Sequence, residues 1–192
     1  MNKIGIIGAM DLEVDTLKAQ MHLDKEITKA GMTFCEGTLN GTSVVIVKCG
    51  IGKVNAAVCT QVLIDHFGVD YIINTGCAGA VSSELGIGDI LISTDAVQHD
   101  MDVSALGDPV GTIPRLAESY FKADEALVKI AQEAAAESEE EYKVILGRVA
   151  SGDQFICSKE QKDTIIANTQ AICAEMEGAA IAHTAYRNGI PF

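Results

Sequence analysis

The stretch "AICAEMEGAAIAHT", Ala171 to Thr184, places two carboxylates in a run of small and apolar residues. Charged side chains are rarely buried without partners, so Glu175 and Glu177 need a physical reason to be there. The residues Ala171–Ala174 predict a strand, and those from Glu177 to Asn188 predict a helix. Since α/β sheets bind ligands outside the carboxyl ends of their strands, this junction is a candidate binding site.

Outward from this stretch, short apolar runs alternate with helical patterns along the chain. Runs rich in Val and Ile predict further strands at Lys3–Met10, Met32–Leu39, Ser43–Cys49, Tyr71–Thr75, Asp89–Val97 and Val144–Ala150. Apolar residues at helical spacing predict further helices at Leu12–Met21, Lys53–Phe67, Asp124–Glu139 and Lys159–Asn168. Strands that alternate with helices are typical of an α/β protein.

The composition suits one soluble domain, which we expect to span residues 1–192. Apolar residues make up 48% of the chain and charged residues 21%. The net charge of −13 disfavours nucleic acid and anionic membranes as partners, because both attract basic patches. Small uncharged or zwitterionic ligands are compatible with this charge.

The sequence predicts a cytoplasmic protein without a metal or cofactor. The N-terminal apolar run, Ile4–Met10, is too short for a signal peptide or a membrane helix. The six cysteines form no C-x-x-C pair, so we interpret them as free thiols in a reducing compartment. Met10 stands where a dinucleotide fingerprint needs a second glycine. The segment "HDMD", His99 to Asp102, offers too few oxygen ligands for a hard cation.

Candidate ligand-binding residues follow several predicted strands, and we expect the ligand to lie over these strand ends. Asp11 and Glu13 open the helix after the first strand, where acids also complement the helix dipole. The segment "GIG", Gly50 to Gly52, either holds an anion at a helix N-terminus or forms an ordinary turn. The small residues of "NTGCAGA", Asn74 to Ala80, suggest a backbone shelf against a flat ligand or another strand.

Three further features carry weaker signals. Cys77 has no adjacent base in the sequence. This favours a role as a small, polarizable side chain that lines a pocket rather than as a nucleophile. Phe155 either stacks on a planar ring or belongs to the core. Asp100–Arg115 is the one long irregular stretch and therefore the best candidate for a functional loop.

Taken together, these stretches closely resemble the bacterial 5′-methylthioadenosine/S-adenosylhomocysteine nucleosidases. The resemblance runs from residue 3 to Phe192 and rests on "IGIIGAMDLEV", "GIGKVNAA", "INTGCAGA", "GDILIS", "HDMDVSALG", "SGDQFI" and "AEMEGAAIAH". It implies a nucleoside phosphorylase-like fold, α/β/α in three layers with a central mixed sheet. It also implies homodimers that use water to release adenine from methylthioadenosine and adenosylhomocysteine, in methionine salvage and adenosylhomocysteine breakdown.

The resemblance also implies roles for individual residues. Glu13 matches the general base that deprotonates the attacking water, and Glu177 matches the carboxylate that binds the ribose hydroxyls. Met176 matches the residue against the sugar, Phe155 the residue that stacks on adenine, and the backbone of Ile156 the group that contacts the adenine edge. Pocket-lining positions match Met10, Ile51, Cys77, Ala78, Gly79 and, in a supporting role, Glu175. Residues lent to the partner subunit's 5′-alkylthio pocket match Val103, Leu106 and Pro114.

Members of the family continue past the segment that matches "GIPF" into a strand, an "R-A-I-S-D"-like motif and a final helix. The Asp of that motif donates a proton to the leaving purine. We therefore expect the fold of these 192 residues to lack the last strand and the C-terminal helix. If the protein ends at Phe192, it is expected to bind adenine nucleosides weakly and to hydrolyse them poorly or not at all, whereas a longer chain is expected to have the ordinary nucleosidase activity.

Three other interpretations stay open at this point. A phosphorylase of the same superfamily needs cationic residues around phosphate, and the chain has three arginines. A nucleoside-binding protein without catalysis would keep the pocket residues and lose the chemistry. A flavodoxin-like or dinucleotide-binding domain fits the α/β pattern but lacks the phosphate fingerprint.

Overall fold

The strands of a computed structural model, which describes residues 2–137 and 142–192, fall into two five-stranded sheets. The strands are β1 (Lys3–Gly8), β2 (His22–Lys29), β3 (Met32–Leu39), β4 (Thr42–Lys48), β5 (Tyr71–Asn74), β6 (Gly79–Ala80), β7 (Ile90–Gln98), β8 (Tyr120–Lys122), β9 (Val144–Ser151) and β10 (Cys173–Glu175). The helices are α1 (Asp11–Gln20), α2 (Lys53–Phe67), α3 (Glu125–Ala136), α4 (Lys159–Thr169) and α5 (Gly178–Asn188), with a 3₁₀ turn at Ser104–Leu106.

Both sheets contain parallel and antiparallel pairs. The first has the order β2–β3–β4–β1–β5, and the second has the order β6–β10–β9–β7–β8. Strand β1 is parallel to β4 and β5, and β9 is parallel to β7 and β10. This arrangement confirms the predicted α/β class with mixed strand pairing, although the strands are divided between two sheets.

Strands β1 and β4 of the first sheet are buried on both faces, and their successive side chains point to opposite sides and enter two different clusters. Ile7, Val45 and Val47 belong to a core cluster with residues of α2 and α5. Ile6 and Ile46 belong to a second cluster with Val14 of α1 and residues of β3. The near-continuous Val and Ile runs of β1 and β4 therefore reflect burial on two sides.

Helix α5 lies between the two sheets. Ala180 and Ile181 belong to the core of the first sheet, whereas Ala179 and Ala182 belong to a cluster with β7 and β8 of the second. All four side chains are buried. Small side chains let the helix backbone approach both sheets, which explains the alanines of "EGAAIAHT".

Most predicted elements are present, and two of them, β3 and α2, have the predicted bounds. The polar edge strand β2 was missed, because its side chains are mostly exposed and it pairs with β3 on one side, so its sequence lacks apolar alternation. The short strands β6 and β8 were also missed. The predicted end of the third helix, Glu139, lies outside the described residues. No helix in the described ranges is both long and apolar enough to cross a lipid bilayer.

Candidate active site

Strand ends from both sheets surround one cavity of about 870 Å³. The first turn of α1 contributes Glu13, the segment after β5 contributes residues 75–80, and the end of β10 and the start of α5 contribute Glu175 and Glu177. These are three of the segments that the sequence predicted to meet, so the structure brings the predicted carboxylates together. Among the described lining residues, Lys162 is the single basic side chain.

The Glu13 carboxylate is held by three backbone N–H groups. Its Oε2 accepts hydrogen bonds from the N–H of Ala9 at 2.7 Å and of Met10 at 2.9 Å. Its Oε1 accepts one from the N–H of Cys77 at 3.0 Å. A carboxylate accepts about four hydrogen bonds, so these contacts orient Glu13, which lines the cavity, and leave one acceptor position on Oε1 without a backbone donor.

Glycine is required next to this carboxylate. A Cβ at Gly76 would lie 2.7 Å from Glu13 Oε1, and a Cβ at Gly8 would lie 2.7 Å from a methyl of Val14. Both distances are shorter than any ordinary contact of a Cβ atom. The small residues predicted to form a shelf therefore let the backbone approach Glu13.

Glu177 is buried, and the N-terminus of α2 binds its carboxylate. Its Oε1 accepts a hydrogen bond from the N–H of Gly52 at 2.6 Å. Gly52 has φ of 100°, a conformation that side chains disfavour, so glycine is needed to direct this N–H. Burial, together with the negative charges of Glu175 and Glu13, raises the pKa of the Glu177 carboxyl, although the Gly52 hydrogen bond opposes this effect.

Glu175 stabilises the start of α5. Its Oε2 accepts hydrogen bonds from the N–H of Glu177 at 2.8 Å and of Gly178 at 2.7 Å. Its Oε1 accepts a hydrogen bond from the hydroxyl of Ser151, at the end of β9. Burial raises the pKa of Glu175, whereas these three hydrogen bonds lower it. The two acids of "AEMEG" both line the cavity but have different partners: Glu175 binds the start of α5, and Glu177 binds the N-terminus of α2.

The remaining predicted pocket residues divide into two groups. Cys77, Ala78 and Gly79 line the same cavity as the three carboxylates. Five others lie outside its lining: Met10, Ile51, Phe155, Ile156 and Met176. The side chain of Phe155 is 82% exposed. Ile156 packs against the core formed by β7, β9 and α4. Their binding roles stay predictions.

The three residues predicted to serve a partner subunit lie on the loop between β7 and β8. Leu106, in the 3₁₀ turn, is 80% exposed. Val103 is partly buried, and Pro114 is exposed beside a second cavity between this loop, α2 and α5. Their role also stays a prediction.

Several residues of this region were missed by the sequence reasoning. Ala9 donates to Glu13, Ser151 donates to Glu175, and Lys53 forms an ion pair with Asp100. The contacts of Ser151 and Lys53 join residues that are distant in the sequence, so no local pattern reports them. The contact of Ala9 is local, but it uses a backbone N–H that the side chain does not reveal. Only the contact at the Gly50–Gly52 turn could be anticipated from the sequence, because one of the two interpretations of this turn was an anion bound at the helix N-terminus.

Within residues 2–137 and 142–192, no group of three or more His, Cys, Asp or Glu side chains is arranged to hold a metal ion. The acids of "HDMD" have protein partners instead. Asp100 pairs with Lys53, and Asp102 accepts a hydrogen bond from the N–H of Ser104 at 2.9 Å.

The fold and this acidic cavity define a member of the Phosphorylase superfamily, whose family model matches residues 3–192. A 5′-methylthioadenosine/S-adenosylhomocysteine nucleosidase of Staphylococcus carnosus is 45% identical over 190 residues, which cover 98% of this chain and 82% of that relative. The chain belongs to the family of 5′-methylthioadenosine/S-adenosylhomocysteine nucleosidases, which are N-glycosyl hydrolases. This result confirms the resemblance predicted from the sequence motifs.

Solved structures of the family agree with this assignment. The nucleosidase of Colwellia psychrerythraea in complex with adenine matches with a TM-score of 0.95 and 40% identity, over 100% of this chain and 79% of that one. The nucleosidase of Neisseria meningitidis in complex with methylthio-immucillin-A matches with a TM-score of 0.95 and 37% identity, over 100% of this chain and 83% of that one.

Proposed function

We propose that this protein hydrolyses the N-glycosidic bond of 5′-methylthioadenosine and S-adenosylhomocysteine and releases adenine. In this proposal Glu13 is the general base, and Glu177 binds the ribose hydroxyls. The observation that carries the proposal is that both carboxylates line one cavity, each held by backbone N–H groups. Family membership and the adenine-bound relative support the same substrate class.

Glu13 is suited to activate water. Its three backbone donors fix the carboxylate, which lines the cavity and keeps one acceptor position on Oε1 for a water molecule. A carboxylate fixed in this way can orient a water molecule and accept its proton as the water attacks the sugar. Because the base is preorganised, little reorganisation accompanies the reaction.

Glu177 is suited to bind ribose. Its burial carries a desolvation cost, and hydrogen bonds donated by two sugar hydroxyls offset that cost when substrate binds. Cleavage of an N-glycosidic bond builds positive charge on the ribose ring. A buried carboxylate beside that ring stabilises this charge.

We assign the remaining predicted residues to binding. Phe155 stacks on adenine, the backbone of Ile156 contacts the adenine edge, and Met176 packs against the sugar. Glu175 supports the site by fixing the start of α5. The other pocket-lining residues in this proposal are Met10, Ile51, Cys77, Ala78 and Gly79.

We expect adenine release to be independent of phosphate, because four carboxylates and one lysine line the cavity, and this acidity repels an oxyanion. Arg148 is already engaged by Asp95 and by the ring of Tyr120. The measurement is the rate of adenine release from methylthioadenosine in a phosphate-free buffer and after addition of phosphate. A rate that requires phosphate would identify a phosphorylase instead.

We also propose a homodimer in which Val103, Leu106 and Pro114 complete the partner's 5′-alkylthio pocket. Leu106 is exposed on the loop, and Ile51, Val54 and Val58 form an exposed apolar strip on and beside α2. Such surface is normally covered in an assembly. Sedimentation at micromolar concentration is expected to show a dimer, and Leu106→Asp is expected to weaken it. A parent protein that sediments as a monomer would contradict this proposal.

We place the enzyme in the cytoplasm, in methionine salvage and adenosylhomocysteine breakdown, because its relatives act on those nucleosides and its cysteines are unpaired in the described residues. The net charge of −13 is consistent with small nucleosides rather than nucleic acid or membranes as ligands.

A further inference from the structure

We infer that Lys53 and Asp100 are positioning residues of the nucleoside site, an inference that rests on the proposed function. Neither residue lines the cavity that contains Glu13 and Glu177. Their ion pair instead joins the start of α2, whose Gly52 N–H holds Glu177, to the segment after β7. Hydrogen bonds to Asp153 link both of them to the segment after β9, which carries the predicted adenine-binding residues.

The ion pair is close and mostly buried. Lys53 Nζ lies 2.6 Å from Asp100 Oδ1 and donates a further hydrogen bond to Gln98 Oε1 at 3.1 Å. The two charged side chains are 17% and 16% exposed. Burial alone would raise the pKa of Asp100, but the hydrogen bonds from Lys53 and from the Asp153 N–H hold it below its ordinary value. A buried charge that loses its partner is strongly unfavourable, so each residue constrains the other.

The pair also fixes the segment that carries the predicted adenine-binding residues. Asp100 Oδ2 accepts a hydrogen bond from the N–H of Asp153 at 2.9 Å. Asp153 Oδ1 in turn accepts one from the N–H of Lys53 at 2.8 Å. These contacts close a ring of three residues, and Phe155 and Ile156 lie two and three residues after Asp153 in the chain.

The ring of Lys53, Asp100 and Asp153 is also connected to the carboxylate of Glu177, which binds ribose in the proposed function. Lys53 follows Gly52, whose N–H donates to Glu177 at 2.6 Å. A shift of the Lys53 backbone therefore moves the donor that holds Glu177. Gly52 also faces Asp153, because a Cβ at Gly52 would lie 3.1 Å from Asp153 Oδ1.

The segment after β9 is closely packed at its first residue, Gly152. A Cβ at Gly152 would overlap the His99 ring and would lie 3.0 Å from Asp100 Cγ. The N–H of Gly152 donates to the carbonyl oxygen of Glu175 at 3.2 Å. This segment is thus held by the acid-bearing β10 on one side and by Asp100 on the other.

Because the pair acts through other groups, its loss should weaken ligand binding more than it slows the chemical step. We expect Lys53→Met and Asp100→Asn to weaken adenine binding and to raise KM for methylthioadenosine by about tenfold or more, the scale expected when a buried charge pair is broken. The value of kcat should change much less. The double variant should be no worse than either single variant, because both remove one interaction.

The matched control is Glu36→Gln, which breaks the ion pair between Lys3 and Glu36 on the first sheet and also the more exposed pair between Lys25 and Glu36. The pair of Lys3 and Glu36 has a similar distance of 2.7 Å and similar exposures of 26% and 17%. The experiment measures adenine affinity by calorimetry, kcat and KM with methylthioadenosine, and the melting temperature of each protein. Glu36→Gln should have a lower melting temperature but an unchanged adenine affinity and KM. Lys53→Arg, which keeps the positive charge, should retain most of the adenine affinity.

Unchanged adenine affinity in Lys53→Met and Asp100→Asn, with a parent that binds and hydrolyses normally, would overturn this inference and leave the proposed function intact. A loss confined to kcat would also overturn it, because it would indicate a part in the chemical step. A parent protein that neither binds adenine nor releases it from methylthioadenosine would overturn the proposed function and this inference together.

Discussion

Glu13→Gln is expected to remove most of the hydrolysis and to preserve nucleoside binding. The amide cannot accept a proton from water, and loss of a general base typically costs about 10²–10⁴-fold in rate. Gln is isosteric with Glu and keeps an oxygen that can accept part of the hydrogen bonds from Ala9, Met10 and Cys77. The measurement is kcat for adenine release from methylthioadenosine, together with adenine affinity.

The matched control for this variant is Asp11→Asn. Asp11 lies two residues before Glu13, is exposed, and forms an ion pair with Lys48 at 2.8 Å at the protein surface. Since exposed pairs contribute little, this variant should keep the parent activity. Near-parent turnover in Glu13→Gln, or an equal loss in Asp11→Asn, would contradict the assignment of the base.

Glu177→Ala is expected to weaken nucleoside binding and catalysis together. Each hydrogen bond from a ribose hydroxyl to the carboxylate is worth about 1.5–3 kcal/mol, so loss of two should reduce kcat/KM on the order of 10²-fold or more. The variant also removes the acceptor of the Gly52 N–H. The measurement is kcat and KM with methylthioadenosine, and unchanged values of both would contradict the ribose-binding role.

The same carboxylate should destabilise the protein when no ligand is bound. Its pKa is raised in the folded state, mainly by burial, so folding favours the protonated form. The stability that it contributes is present below its unfolded pKa and is lost as the pH rises through its folded pKa. Glu177→Gln, which is neutral at every pH, should therefore raise the melting temperature more at pH 7.5 than at pH 5. A melting temperature that falls equally at both pH values would contradict this explanation.

Local patterns in the sequence were sufficient to predict β3, α2 and the strand ends that carry Glu13 and Glu177. They failed where a structure depends on partners that are distant in the chain. The polar strand β2 is stabilised by its ladder with β3 and has no apolar alternation of its own. The glycine turn before α2 correctly suggested an anion, but that anion is the side chain of Glu177, 125 residues away.

The ring of Lys53, Asp100 and Asp153 could not be predicted for the same reason. Its members lie on three separate segments, and each is an ordinary charged residue in its own surroundings. Isolated charge pairs carry no periodic signal, and only the folded chain brings them to within hydrogen-bond distance. The family motifs include all three positions without indicating that they contact one another.

The most direct test of the central claim is the fate of the water oxygen in the reaction. The protein is incubated with methylthioadenosine in ¹⁸O-enriched water that also contains phosphate, and the products are analysed by mass spectrometry. Hydrolysis in the acidic cavity predicts unlabelled adenine and methylthioribose that carries one ¹⁸O atom from water. Methylthioribose 1-phosphate as the product, or the absence of adenine, would contradict it.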